Sequence, residues 1–209
     1  MARIEDELIT RRRLLHFGLA GLSLPLVGCG ESDYHGIDVD GVLPDLSFRM
    51  TRARDGKEVT EADYRGQVVA LFFGYTYCPD ICPMTLANLT ALAERMGEGA
   101  RRLSILFVTV DPERDTLPAL ADYMAAFSPR VDGLRGTANQ LARLTRRFKV
   151  TYKVASHAPD ETYYAVSHGK SVYVFDGQGE ARVMWPEFDT ADADIAGAER
   201  DLSRVLASP

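Results

Sequence analysis

Two cysteines, Cys78 and Cys82, stand four positions apart in GYTYCPDICPMTLANL (residues 74–89), and a proline follows each of them directly. Thiols at this spacing can close a disulfide, exchange electrons with a partner's thiols, or hold one soft metal ion between them. The prolines say where the pair sits. A residue before proline resists helical dihedrals, and Pro83 suits the first position of a helix. Cys82 is therefore expected near a helix N-cap, with Cys78 in the turn above it. Exposed N–H groups and the helix dipole at that place stabilise thiolate and lower at least one thiol pKa. A structural disulfide gains nothing from the placement, and so short a loop would constrain the unfolded chain little.

Two thiolates alone make a linear or incomplete metal site, which a soft third ligand would complete for copper or zinc. Four histidines are available. His16 lies in the N-terminal apolar segment, His35 in a polar stretch, His157 in the loop ASHAPDET, and His168 immediately before the strand-like SVYVFD. A lone histidine is more often structural than functional, so the residues alone leave the role of His168 open.

The elements that must position these groups alternate along the chain. LSFRM and EVTEADYRG frame Asp55-Gly56, a hairpin signal. QVVALFFGY (67–75) and RLSILFVTV (102–110) are continuous apolar runs of the length of buried strands. Leu86, Leu89, Leu92 and Met96 fall at helical spacing after Pro83. Residues 116–127 and 139–150 read as helices, 171–185 as a hairpin turning at Gly177-Gln178-Gly179, and 192–207 as a closing helix. The order predicts an α/β fold: a central mixed sheet flanked by helices, with an N-terminal hairpin extension. Its active end should lie where strands finish and helices begin, which is where the cysteines stand.

The 209 residues suffice for one main domain. Three arginines, Arg11 to Arg13, precede an apolar stretch from Leu14 to Gly28 that is too short to span a bilayer and has the form of an export signal. Leu26-Val27-Gly28-Cys29 resembles a bacterial lipobox, and Thr10 to Leu15 resembles a twin-arginine signal. The expected organisation is an export signal over 1–28, a lipidated Cys29 with a tether over 29–42, and a domain over 43–209. That places the domain in the cell envelope, at the periplasmic face of a bacterial membrane. With Cys29 carrying lipid, Cys78 and Cys82 are left with each other. A net charge of −6 speaks against nucleic acid as a partner.

Three blocks in order carry a family resemblance: GYTYCPDICPMTL (74–86), VTVDPERDT (108–116) and YAVSHGKSVYVFD (164–176). They resemble the Sco/SenC family, thioredoxin-fold copper proteins that help assemble the copper centre of cytochrome c oxidase, and the likeness runs over about residues 43–207. The resemblance implies a thioredoxin-like fold and copper, Cu(I) or Cu(II), held by Cys78, Cys82 and His168. It further implies a membrane-tethered metallochaperone whose partners are a copper-bearing oxidase subunit and a copper donor or thiol reductant. Two positions depart from the family pattern: Ser167 stands where Asp usually precedes the histidine, and Met84 replaces a common Thr.

The alternative is an enzyme, a thiol-disulfide oxidoreductase in which Cys78 and Cys82 cycle to keep the oxidase's copper-binding cysteines reduced. The spacing differs from the Cys-x-x-Cys of general thioredoxins, and no proline occurs between Pro159 and Pro186, where a thioredoxin carries one before its hairpin. A thiol peroxidase would need an activating Thr or Arg, and Thr76 is misplaced for that. Asp111 to Thr116 follows a strand and precedes a helix, a place that can line the same end of the sheet as the cysteines, but it reads mainly as helix capping by Asp115 or Thr116. Asp80 is either a turn residue or a source of negative charge for cation capture. Tyr75, Tyr77 and Phe148 read as packing residues, and the scattered methionines as core.

Overall fold

A computed structural model describes residues 34–158 and 160–207. The export signal and Cys29 therefore lie outside the described residues. Among the described residues there are ten strands: β1 (Ile37–Asp38), β2 (Arg49–Arg52), β3 (Glu58–Thr60), β4 (Val68–Gly74), β5 (Leu103–Thr109), β6 (Val131–Arg135), β7 (Tyr152–Val154), β8 (Val166–His168), β9 (Val172–Phe175) and β10 (Ala181–Trp185). Four α-helices accompany them: α1 (Ile81–Met96), α2 (Leu117–Ala125), α3 (Ala138–Arg147) and α4 (Ile195–Ala207).

Eight strands form one mixed sheet in the order β1-β10-β9-β4-β5-β6-β2-β3. β4, β5 and β6 run parallel, and the remaining pairs are antiparallel. Every residue of β4 is buried, as its unbroken apolar run requires of a central strand covered on both faces. Alternation divides its side chains between two cores. Phe72 meets the ring of Phe107 and lies on the face of Gly74, beneath α1, whereas Phe73 meets Tyr173 on the other face. There Phe148, at the end of α3, packs against Tyr173 and Phe175.

The hairpin signal at Asp55-Gly56 joins β2 to β3, with Gly56 in the left-handed region at φ 67°. This hairpin adds to the sheet through β2 and β6, forming the expected extension. Short or weakly patterned strands were not readable in advance: β1, β6, β7 and β8 have two to five residues each.

Part of the stretch expected to be a tether is built onto the domain. Ile37 and Asp38 pair with Met184 and Val183. The buried carboxylate of Asp201 in α4 accepts the backbone N–H of His35 (2.7 Å), that of Gly36 (2.9 Å) and the indole N–H of Trp185 (2.9 Å). Isolated polar residues have no periodicity, so a two-residue strand whose lead-in at Gly36 depends on a carboxylate 165 positions away leaves no sequence signal.

Candidate metal centre

β4 ends at Gly74, and the chain turns through Tyr75 to Asp80 before α1 begins. The helix starts at Ile81, two residues earlier than Pro83 indicates. N–H groups of the first turn have no intrahelical partner, so a proline at the third helical position forfeits no hydrogen bond. Cys82 is thus the second residue of α1 rather than its cap. Asp80 occupies the cap position without a side-chain hydrogen bond; instead the Sγ of Cys78 accepts the N–H of Cys82 at 3.4 Å.

Both cysteines are free thiols, Cys78 buried at the surface of the core and Cys82 with no exposure. His168 arrives from β8 as the last residue of a three-residue strand that pairs with β7 in a separate two-stranded sheet. Its Nε2 stands 3.4 Å from the Sγ of Cys82, and its Nδ1 is 2.9 Å from the carbonyl oxygen of Gly169. The rings of Phe72 and Tyr75 wall the imidazole edge-on, at 6.0 and 5.7 Å between centroids. Tyr75 therefore packs, as expected, but packs against the site. Two thiols and one imidazole nitrogen lie within 4.8 Å of one another. Three donors bound at roughly 2.0–2.3 Å to one ion stand about 3.5–4 Å apart, so the cluster fits a metal with small adjustments.

The electrostatics of the pair are asymmetric. The Cys82 thiol donates a hydrogen bond to Cys78 and, against the cost of burial and with help from two backbone N–H groups, draws the Cys78 pKa down to about 4. The same bond, together with deep burial, pushes Cys82 upward. One thiolate beside one thiol is the resting state of the reduced pair at neutral pH. A cleft of about 260 Å³ lined by Tyr75, Cys78, Asp80, Ile81, Val166 and His168 opens over it.

Ser167 is exposed, paired across the small sheet with Lys153, and lines the same cleft. Tyr77 and Met84 are exposed at 48% and 37%, whereas Met50 and Met124 fill core. His157 stacks on Tyr164 at 3.7 Å and stays away from the thiols; His35 pairs with Asp194. Of the capping expectation, Thr116 alone holds: its hydroxyl accepts the N–H of Ala119 at the start of α2. Asp115 instead points inward, fully buried, and accepts the N–H and hydroxyl of Thr76 and the hydroxyl of Thr109. Gly74 was also missed. A Cβ there would lie 2.7 Å from the Sγ of Cys82, so only glycine lets the helix approach the strand this closely. The signal was present in the sequence as a glycine ending an otherwise bulky strand.

A mixed sheet of thioredoxin-like fold that presents a Cys-x-x-x-Cys pair at a strand-to-helix turn, with a distant histidine closed against it, defines a class of thiol–imidazole metal-binding proteins. The SCO1/SenC family model matches residues 45–203, and the chain belongs to that family. It is 40% identical over 126 residues to the bovine mitochondrial protein SCO2 homolog, covering 59% of this chain and 47% of the relative. To the mouse mitochondrial protein SCO1 homolog it is 38% identical over 153 residues, covering 72% and 53%. The chain thus spans about half the length of these mammalian relatives. Among solved structures, Bradyrhizobium japonicum ScoI with copper bound superposes with a TM-score of 0.68 at 30% identity, over 78% of this chain and 99% of that one.

Proposed function

We propose that this protein is a copper metallochaperone, binding one copper ion through Cys78, Cys82 and His168 and delivering it in the assembly of the copper centre of cytochrome c oxidase. The observation that carries the reading is the convergence of two thiols and one imidazole within 4.8 Å in a chain of the SCO1/SenC family. Softness supports it: thiolates select Cu(I), and an imidazole lets the same site accept Cu(II). The copper-bound relative of known structure supports it further. The low Cys78 pKa means that one ligand needs no deprotonation at neutral pH.

The acceptor in this reading is the copper-bearing subunit of the oxidase, met at the periplasmic face of a bacterial membrane. Lipidation at Cys29 would hold the domain there; no helix among the described residues is long and apolar enough to cross a membrane. Titration of the reduced protein with Cu(I) and Cu(II) tests the proposal. One copper per chain is expected, with a Cu(II) thiolate charge-transfer band that disappears in His168→Ala. Stoichiometric copper that survives both Cys78→Ser and His168→Ala would overturn it.

The thiol asymmetry favours a second activity at the same place. A buried thiolate next to a protonated thiol is arranged to attack a disulfide and then resolve the mixed disulfide, the chemistry of a narrow reductase. In that step the Cys78 thiolate bonds one partner sulfur and expels the other as thiolate. Cys82 then gives its proton to the expelled partner thiolate and displaces the other partner sulfur, leaving a Cys78–Cys82 disulfide and a partner with one thiol and one thiolate, the latter protonated by water. Failure of the reduced protein to reduce a mixed-disulfide peptide, at any ratio of the two, would exclude it.

A further inference from the structure

The loop after β5 makes no hydrogen bond to Cys78, Cys82 or His168, yet it is bonded to both segments that carry them. On one side the buried Asp115 accepts the N–H of Thr76 at 3.1 Å and its hydroxyl at 2.6 Å, two residues before Cys78. On the other side Arg114 donates from Nη1 to the carbonyl oxygens of Thr162 and Tyr164, each at 3.2 Å, on the strand-entry segment that ends in His168. Its guanidinium lies 3.6 Å from the centre of the Tyr164 ring and 4.8 Å from that of Tyr77. Nε donates to Asp111, whose other carboxylate oxygen accepts the Tyr164 hydroxyl at 2.8 Å. The side chains of Arg114 and Asp111 are 8% and 2% exposed, so this is a buried pair and not a surface contact, with only Nη2 of Arg114 lacking a hydrogen-bond partner.

β8 needs such a hold. A sheet of two three-residue strands is marginal on its own, and among the described residues β8 pairs with no strand but β7. Without a further tie the imidazole would swing with its strand while the cysteines stay fixed to β4 and α1. Guanidinium is suited to the task, since one rigid fork can bond a carboxylate and two carbonyls while stacking on an aromatic ring.

We propose that Arg114, oriented by Asp111, is a positioning residue that holds the His168 strand at its distance from the cysteine loop, with Asp115 fixing the cysteine side, so that this one loop sets the thiol-to-imidazole spacing. The inference rests on the copper reading of the site and sharpens it. Cu(I) can be held by two thiolates alone, whereas Cu(II) depends on the imidazole, so the loop governs which oxidation state the site accepts.

The test uses the full chain carrying Arg114→Met, Arg114→Lys or Tyr164→Phe. In the metal-free reduced protein, Arg114→Met is expected to lower amide-exchange protection of residues 162–168 by about tenfold or more while β4 and α1 keep theirs. Cu(II) affinity should fall by about 10- to 100-fold with a weakened charge-transfer band, as for other residues that orient metal ligands, and Cu(I) affinity should stay within a few-fold. Lysine keeps the charge but cannot reach both carbonyls, so Arg114→Lys should show the same pattern more mildly, and it decides the matter if Arg114→Met does not fold. Tyr164→Phe, which retains the stacked ring, should give the smallest change. Unchanged loop protection and an unchanged Cu(II) band in a folded Arg114 variant would overturn the proposal. A uniform loss of both oxidation states would overturn it too, by reducing Arg114 to a stability role. If the wild-type chain takes up no copper at these residues, the copper reading fails, and the metal-free exchange measurement still decides whether Arg114 holds the loop.

Discussion

The Nε2 of His168 faces the Sγ of Cys82 at 3.4 Å across 86 positions of sequence, while its Nδ1 lies 2.9 Å from the carbonyl oxygen of Gly169. A ring nitrogen at that distance from a carbonyl carries the proton, which leaves the Nε2 lone pair free to bind a metal. Nitrogen NMR of the reduced, metal-free protein should therefore find His168 as the Nδ1–H tautomer at pH 8. The opposite tautomer would mean that Nδ1 is the ligand atom.

Proton counting follows from the thiol asymmetry. Cys78, drawn down to about 4 by the Cys82 hydrogen bond, is already thiolate at pH 7, and Cys82, pushed up by that bond and by burial, is still a thiol. Binding Cu(I) at pH 7 should release close to one proton per metal, measured by calorimetry in buffers of differing ionisation enthalpy. Thiolate absorbance of the metal-free protein should be present above about pH 4 and fall as acidification protonates Cys78. That transition should be missing in Cys78→Ser. Release of two protons would show both thiols protonated at rest.

Gly74→Ala should injure stability and site together. Its Cβ would lie 2.7 Å from both the Sγ of Cys82 and Cε2 of Phe107, and neither α1 nor a fully buried ring can retreat freely. Overpacking of this kind costs about 1–3 kcal/mol. Urea unfolding should report that loss, and a Cu(I) competition assay should show weaker binding because Cys82 is displaced. Normal copper affinity in the destabilised variant would show that the strain is absorbed by Phe107 alone.

Asp201→Ala should separate the two properties. It leaves three N–H groups without their acceptor, that of Trp185 buried and those of His35 and Gly36 partly buried, for an expected loss of about 2–4 kcal/mol. Copper stoichiometry should not change, because none of these groups touches the cysteines or His168. Loss of copper at full foldedness would reveal a coupling between this sheet edge and the site.

What the sequence determined by itself follows from local physics. Unbroken apolar runs define β4 and β5, helical spacing defines α1, and Asp55-Gly56 defines a hairpin, because each depends on residues close together in the chain. The cysteine pair was legible for the same reason: its spacing and its two prolines lie within six residues. Its partner was not. From the residues alone His168 is one of four histidines, and only the resemblance to a family singled it out. Its approach to Cys82 depends on β8, a three-residue strand with no pattern of its own. Tertiary structure also decided the part played by Asp115. A carboxylate before a threonine and a helix reads as a cap, but a buried acid takes whatever donors surround it, and here these are Thr76 and Thr109 from two other segments. Gly74 and Arg114 belong with it, since steric room and the reach of a guanidinium are set by neighbours that only the fold supplies.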